Sequence, residues 1–327
     1  MDNPKSWEAL RTSPSRSGGT ANGYVSVFME ETYITLHPSV KPPAGQPGHL
    51  LLAPMLRRVI IIGLNANGTI QIRNPNHPGP VKFKLTIAYD GTGYAGWQAQ
   101  KTGVGVQQRV EEAIVKIFPG ASRLHSSSRT DAGVHALGMV AQVEIPDEQM
   151  KMPVAKMAVA VNSHLERDVR VMAAARCKDD FDARFDAKGK QYRYLIWNGP
   201  AMNPLLRQQA WHVARPLDLK SMGAAAKLFV GKHDFKSLAA TRNYEMKSTV
   251  RTLRRCDIQR NGSLLTFVIE GDGFLYKMCR GIVGTLAQAG QWKIAPEDIK
   301  GILSRKDRSA AGMTAPAHGL VLWKVYY

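Results

Sequence analysis

The segment 126–136 contains the residue types in this sequence that are best suited to chemistry. It reads SSSRTDAGVHA, a run of small residues in which Arg129 precedes Asp131 by two positions. Small neighbours let a loop backbone approach a ligand closely, and a carboxylate can act as a nucleophile in covalent catalysis. An Asp in such a loop more often caps a turn or a helix, and a nearby Arg often makes an ordinary ion pair. Spacing alone leaves both interpretations of Asp131 open.

A second candidate site is the glycine-rich run 91–96, GTGYAG, which matches the GxGxxG string of dinucleotide-binding proteins and follows a predicted strand. In that fingerprint the last glycine opens a helix whose N-terminus binds pyrophosphate. Here two more glycines follow, and the next helical pattern starts only near Val106. The acidic residues at the expected distance, Glu111 and Glu112, fall inside that helix. We therefore expect a glycine-rich turn with no dinucleotide partner, and disfavour a nicotinamide oxidoreductase.

These segments need a scaffold, and hydrophobic periodicity predicts one from residue 81 onwards. Alternating apolar residues predict strands, and apolar residues three and four positions apart predict amphipathic helices. The predicted strands are 83–89, 139–145, 190–197, 264–270 and 320–326, and the predicted helices are 106–118, 217–229, 274–289 and 296–303. Both patterns recur in each half, which predicts an α+β fold with two related lobes, 81–179 and 180–327.

Composition narrows the class of partner. The 327 residues include 44 Lys and Arg against 26 Asp and Glu, a net charge of +18 that favours a polyanion. Three widely spaced cysteines make neither a disulfide framework nor a CxxC metal site, which favours a reducing compartment. The apolar runs are far shorter than the roughly 20 residues that span a bilayer, so we expect no membrane association.

Residues 1–80 differ from the rest and are predicted to be a partly disordered N-terminal extension. They hold ten of the 18 prolines and only +3 of the net charge, and 11–23 is rich in Ser and Gly. Segments 59–64 and 69–73, separated by a turn sequence, predict a hairpin. The acidic N-terminal residues and the lack of an apolar stretch there lead us to expect no secretory signal. We expect a cytoplasmic protein, or an organellar one if 1–80 is a transit peptide.

Six ordered motifs over about residues 81–327 resemble the TruA family of tRNA pseudouridine synthases. Segment 126–136 resembles the family's RTDAGVHA signature. The other matches are 89–98 to YDGTxYxGWQ, 181–185 and 190–194 to the FxAR and YRY pair, 231–235 to GxHDF, 274–284 to FLYKMVRxIVG, and 315–320 to APAxGL. Chance matches would not keep this order and spacing.

The resemblance implies a role for each matching residue. Asp131 matches the catalytic aspartate, and Arg280 matches the arginine that pairs with it, which suits a buried carboxylate that must stay ionised. Tyr192 matches the aromatic residue that stacks on the target base. Arg129 matches the arginine that holds the flipped nucleotide, and Leu320 matches an apolar residue against the base. The bland alternatives are core packing for Tyr192 and Leu320 and a solvated helix face for Arg280.

The resemblance also implies an activity and a quaternary state. It implies an isomerase that converts uridine to pseudouridine in tRNA, in the anticodon stem-loop at positions 38–40, and a homodimer without metal or organic cofactor. The implied fold is a central antiparallel sheet flanked by helices. The target uridine must leave its stack, and cations that bind phosphates would offset that cost. The RNA-binding candidates are Arg184, Lys188, Lys190, Arg242, Lys247, Arg251, Arg254 and Arg255. The alternative is a catalytically silent RNA-binding protein on the same scaffold.

Two positions depart from the family pattern, and a separate His–Asp pair could be interpreted as a metal or acid–base site. Ser128 replaces the commoner Gly before the signature arginine, and Met139 stands where the family usually has Gln, which would remove one hydrogen bond near the loop. His233 and Asp234 could suggest a metal or acid–base pair. We expect them instead to form a corner with capping hydrogen bonds.

Overall fold

The computed structural model describes residues 24–26, 61–64, 70–73, 79–98, 100, 103–240 and 248–327. The chain divides into two compact units, Met1–Gly79 and Pro80–Tyr327. In the first unit, β1 (Tyr24–Ser26), β2 (Ile61–Leu64) and β3 (Ile70–Arg73) form an antiparallel three-stranded sheet. The β2–β3 pairing agrees with the predicted hairpin. The turn of that hairpin and segment 11–23, which was predicted to be disordered, lie outside the described residues.

The second unit is built around one large sheet with helices. Its strands are β4 (Val81–Tyr89), β5 (His125–Ser126), β6 (His135–Ile145), β7 (Val169–Arg176), β8 (Gly189–Asn198), β9 (Trp211–Val213), β10 (Gly231–Asp234), β11 (Val250–Asn261), β12 (Leu264–Gly271) and β13 (Leu320–Tyr326). Its helices are α1 (Val106–Ile117), α2 (Val154–Asn162), α3 (Leu219–Lys227), α4 (Met278–Gly290) and α5 (Asp298–Arg305). The predicted α+β class is confirmed. In the described part of the chain, every helix is too short or too polar to cross a membrane.

The order of the strands explains where a site can form. The sheet runs β10-β11-β12-β8-β13-β6-β4-β7, with β5 beside β6 and β9 beside β8. The described pairings are antiparallel except β6–β13 and β8–β9, so the sheet is mixed where the resemblance implied an antiparallel one. At the parallel β6–β13 junction, Val321 is paired with His135 and Leu322 with Ala136. This pairing brings the loop before β6 close to the start of β13. The lobe boundary at 179 stays a prediction.

Burial of apolar faces holds these elements in place. Strand β4 buries Phe83, Leu85 and Ile87 on one face, as its alternating sequence predicts. Eleven of the thirteen residues of α4 are buried, the pattern of a helix that is enclosed by the core. Arg280, in the first turn of α4, is one of its two partly exposed residues, so a rigid helix presents its side chain.

Candidate active site

A cleft of about 1090 Å³ is lined by the loop before β6, the start of β13 and the segment that leads into α4. Its lining includes seven of the predicted site residues: Arg129, Asp131, Arg184, Lys190, Tyr192, Arg251 and Leu320. The fold therefore collects side chains from segments that are far apart in the sequence. An eighth predicted residue, Arg280, bonds to Asp131 at the cleft.

The ion pair between Asp131 and Arg280 is the chemical centre of the cleft. Arg280 Nη1 donates a hydrogen bond to Asp131 Oδ2 at 2.8 Å, and the two side chains are only 13% and 19% exposed. Arg280 Nε also donates to the Ala315 carbonyl oxygen at 2.8 Å, which holds the guanidinium from a second side. No described residue donates a hydrogen bond to the other carboxylate oxygen, Oδ1.

The glycine-rich run 91–96 packs directly against the loop that carries Asp131. A Cβ on Gly91 would lie 2.1 Å from the carbonyl oxygen of Val134, and one on Gly96 would lie 2.6 Å from that of Thr130. Gly96 also has a φ of +96°, a conformation that favours glycine. Helix α1 begins ten residues later, so Gly96 does not open a helix as the dinucleotide fingerprint requires. Close approach to the Asp131 loop accounts for Gly91 and Gly96.

Thr130 holds the same loop in place through hydrogen bonds. The Tyr89 and Thr130 hydroxyl oxygens are 2.7 Å apart and share a hydrogen bond, and the Trp97 N–H donates to the Thr130 carbonyl oxygen at 3.1 Å. The Val134 N–H donates to the Asp131 carbonyl oxygen at 3.1 Å, which closes the turn. The Tyr89 and Trp97 rings lie 5.9 Å apart and are buried. These contacts fix the backbone on both sides of the carboxylate.

His135 ties three segments together beside the loop, a role that sequence reasoning missed. Its Nδ1 accepts a hydrogen bond from the Gly91 N–H at 3.0 Å, and its Nε2 lies 3.0 Å from the carbonyl oxygens of both Gln208 and His318. The Asp90 carboxylate oxygen Oδ1 also lies 3.1 Å from Nδ1. His135 belongs to the RTDAGVHA motif, so the motif pointed to it without revealing the positioning role.

Tyr192 and Leu320 form the apolar wall of the cleft. Tyr192 is 7% exposed, and its ring meets Phe274 edge to face with the centroids 5.0 Å apart. Leu320 is 6% exposed and begins β13. Burial raises the pKa of Tyr192 above its usual value, so the phenol stays protonated at neutral pH. Sequence reasoning missed Phe274 as a site residue because it assigned that position to a helix.

Another part of the cleft lining is cationic. The Lys190 ammonium donates to the Ser127 carbonyl oxygen at 2.6 Å. Burial, and then the nearby charges of Arg184 and Arg251, lowers the pKa of Lys190 to about 8. The Arg129 and Arg184 side chains are exposed within the cleft. This clustering of like charge favours an anionic ligand.

Other predicted residues lie elsewhere. Arg254 is outside the cleft lining, and its Nη2 donates to the Lys188 carbonyl oxygen at 2.8 Å. The Asp234 carboxylate accepts a hydrogen bond from the Lys236 N–H at 3.0 Å, and His233 Nε2 bonds to a backbone carbonyl, so the predicted capped corner is confirmed. Two RNA-binding candidates, Arg242 and Lys247, lie outside the described residues.

The departure at Met139 leaves a weak contact in place of the expected one. Met139 is fully buried, and the Ser127 hydroxyl donates to its sulfur at 3.6 Å. Since Ser127 also supplies the carbonyl oxygen that binds Lys190, this contact helps to hold the cationic side of the cleft.

Thiol and metal chemistry receive no support from the described residues. Burial raises the pKa of Cys256 to about 12 and that of Cys279, which lines the cleft, well above its usual value. A protonated thiol is a poor nucleophile. In the described ranges, no three His, Cys, Asp or Glu side chains are grouped as metal ligands.

Comparison with known proteins shows the family to which the chain belongs. The family model described as tRNA pseudouridine synthase matches residues 85–186 and 225–327. The tRNA pseudouridine synthase A of Geotalea uraniireducens is 42% identical over 246 residues, which cover 75% of this chain and 99% of that protein. The protein of the same name from Methylacidiphilum infernorum is 40% identical over 247 residues, 76% of this chain and 96% of that protein. This chain belongs to the tRNA pseudouridine synthase family.

Proposed function

We propose that this chain isomerises uridine to pseudouridine in tRNA, with Asp131 as the nucleophile. The reaction breaks the bond between N1 of the base and C1′ of the ribose and forms a bond between C5 and C1′. The C5 proton is lost and N1 gains a proton, so atoms and charge balance without a redox partner. The observation that carries the proposal is the Asp131–Arg280 pair at 2.8 Å in a cleft of about 1090 Å³, which has room for a nucleotide.

The ion pair suits covalent catalysis. The Arg280 guanidinium binds Oδ2 and keeps the carboxylate oriented, and Oδ1 is left to attack. Attack at C1′ of the sugar and attack at C6 of the base both give the same overall isomerisation. Tyr192 and Leu320 would contact the two faces of an extruded uracil. Burial keeps Tyr192 a neutral phenol, so it can stack on the base and form hydrogen bonds with it, and its hydroxyl can reach the C5 proton that must be lost.

The cationic lining supports an RNA substrate. Arg129, Arg184, Lys190 and Arg251 line the cleft, and phosphate contacts from them would offset the cost of extruding the base, a few kcal/mol. Arg254 would contact the RNA from outside the cleft. The resemblance to the TruA family supports uridines at positions 38–40 of the anticodon stem-loop as targets. It also supports a homodimer in the cytoplasm and a reaction without cofactor.

Replacement of Asp131 tests the assignment of the nucleophile. In tRNA whose uridines carry tritium at C5, turnover releases tritium, and Asp131→Ala should reduce this release to background. Binding of tRNA should stay within a few-fold of wild type because Asp131 makes no phosphate contact in this proposal. Glu148→Ala, at an exposed carboxylate outside the cleft lining, is the control and should keep full turnover.

Two results would contradict the proposal. Turnover by Asp131→Ala would mean that another residue is the nucleophile. A wild-type chain that binds tRNA and never releases tritium would instead be the catalytically silent RNA-binding protein. Mapping pseudouridine in tRNA from cells that lack the gene tests the positions, since loss should be confined to positions 38–40.

A further inference from the structure

Phe185 is a large aromatic side chain that lies exposed in a polar, basic cleft. It is 77% exposed, and it lines the cleft together with Arg184 and Lys190. Among the described large apolar residues that are exposed, the others, such as Leu205 and Trp292, are absent from the cleft lining. Single apolar residues on a surface need no explanation. An aromatic ring inside a cation-lined cleft is different. Single-stranded nucleic acid binds to aromatic faces, on which its bases stack, and to positively charged grooves, which contact its phosphates.

The backbone holds Phe185 in this exposed position. The Asp182 carboxylate accepts hydrogen bonds from the Arg184 and Phe185 N–H groups at 2.7 and 2.8 Å, and the Asp186 N–H donates to the Asp182 carbonyl oxygen at 3.0 Å. The turn is anchored to the body of the protein at Ala183, which is fully buried and whose carbonyl oxygen accepts from Tyr327. A rigid turn therefore presents the ring, and binding needs little further ordering.

We propose that Phe185 is a stacking platform for an unpaired base of the RNA that neighbours the extruded uridine. The Asp131 site accommodates one nucleotide, the extruded uridine. The bases on either side of it lose a stacking partner and need a new one. The ring of Phe185 supplies an aromatic face, and the Arg184 guanidinium, 5.3 Å from the ring centroid, supplies charge for the adjoining phosphate. This inference rests on the proposed function and adds a second base-binding position to it.

Binding of tRNA by Phe185 variants tests this role in the Asp131→Ala background, where bound RNA is not turned over. Stacking on one aromatic side chain contributes enough that Phe185→Ala should weaken affinity by about five- to a hundredfold. Phe185→Leu should bind as weakly as Phe185→Ala, because size without an aromatic face does not replace stacking. Phe185→Trp should bind within about threefold of the parent. Leu205→Ala, at an exposed apolar residue outside the cleft, is the control and should leave affinity unchanged.

A cycle that combines protein and RNA changes identifies the base. Transcripts that each lack one base beside the target uridine are bound to the parent and to Phe185→Ala. One of these transcripts should bind equally well to both proteins, since its stacking partner is missing. Equal affinity of Phe185→Leu and the parent, or a Phe185→Ala effect that persists with every transcript, would overturn the stacking role.

The test separates this inference from the proposed function. Tritium release by the wild-type chain with an unchanged affinity of Phe185→Ala removes the stacking platform and leaves the isomerase intact. If the wild-type chain releases no tritium, the proposed isomerase activity is wrong, whatever the affinity of the Phe185 variants.

Tryptophan emission of Phe185→Trp gives a direct readout of stacking. Stacking on a base should quench this emission beyond the change that tRNA causes in the parent.

Discussion

Arg280 does two things that a lysine at the same position could not do together. Its planar guanidinium binds the Asp131 carboxylate through Nη1 and the Ala315 carbonyl oxygen through Nε, both at 2.8 Å. A mostly buried ion pair adds little to stability once desolvation is counted. Its value lies in orientation, since the pair holds one oxygen of the Asp131 carboxylate in a fixed position.

We expect Lys190 to make RNA binding sensitive to pH. Its pKa of about 8 means that the ammonium is charged at pH 7 and mostly neutral at pH 9. A phosphate beside Lys190 favours the charged form, so tRNA affinity should fall several-fold between pH 7 and pH 9. Lys190→Arg should remove most of this fall because a guanidinium stays protonated. Dissociation constants across this range, measured in the Asp131→Ala background, check the prediction, and equal pH dependence in both proteins would contradict it.

The same titration has a consequence for the stability of the free protein. The folded-state pKa of Lys190 is lowered to about 8 from an ordinary value of 10.5, so the unfolded chain binds more protons between these two values. The contribution of Lys190 to the free energy of unfolding therefore increases as pH rises from about 8 to 10.5. At neutral pH the protein holds a charged lysine in a site that disfavours it, and an anionic ligand relieves that cost.

Single residues also mark the limit of sequence reasoning about the site. Asp131, Arg280, Tyr192 and Leu320 were named through motifs, and they do converge on one cleft. Sequence could not reveal the exposure of Phe185. A phenylalanine that directly follows the FxAR motif would ordinarily be expected in the hydrophobic core. Exposure depends on how the Asp182 turn is anchored in three dimensions.

At the scale of elements, the glycine-rich run serves to position the Asp131 loop, and replacement of its glycines tests this. Gly91→Ala would place a Cβ 2.1 Å from the Val134 carbonyl oxygen, so the loop must shift. We expect the free energy of unfolding to fall by about 2 kcal/mol and turnover to fall by about 100-fold, because a small misplacement of catalytic groups is costly. Denaturant unfolding and tritium release measure the two effects.

Gly93 provides a matched control in the same turn. Nothing lies within 4 Å of a Cβ built on Gly93, and its φ is not in the left-handed region. Gly93→Ala should therefore change stability by less than about 0.5 kcal/mol and leave turnover unchanged. Equal losses in Gly91→Ala and Gly93→Ala would mean that the run acts through general flexibility rather than through contact with the loop.

The elements show which physical signals sequence can carry. Strand β13 has the predicted bounds, and α1 matches its prediction within one residue, because strong apolar periodicity defines both. The predicted helix 274–289 is wrong over its first four residues, since Lys277 has a φ of +59° and α4 begins only at Met278. Those four residues line the cleft instead. The parallel β6–β13 pairing could not be predicted, because it depends on contacts between distant parts of the chain.

At the scale of the whole molecule, charge is distributed for binding a polyanion. Residues 81–327 hold 37 Lys and Arg against 22 Asp and Glu, a net charge of +15. Part of this excess lines the cleft, where a concave surface focuses the field. Binding of tRNA should therefore release counterions and weaken as salt rises.

Two arginines on strand β11 offer a test that distinguishes local phosphate contacts from the electrostatic field of the whole protein. Arg251 lines the cleft, whereas Arg260 lies nine residues away, about 30 Å along the strand, and its Nε donates to the Gly262 carbonyl oxygen in the β11–β12 turn. Arg251→Gln should reduce the slope of log affinity against log salt concentration by about one, the loss of one phosphate contact. Arg260→Gln removes the same net charge and should leave the slope unchanged. Titrations of tRNA at several salt concentrations measure both slopes. If the two variants behave alike, the molecule attracts RNA through its total charge and the cleft has no privileged phosphate position.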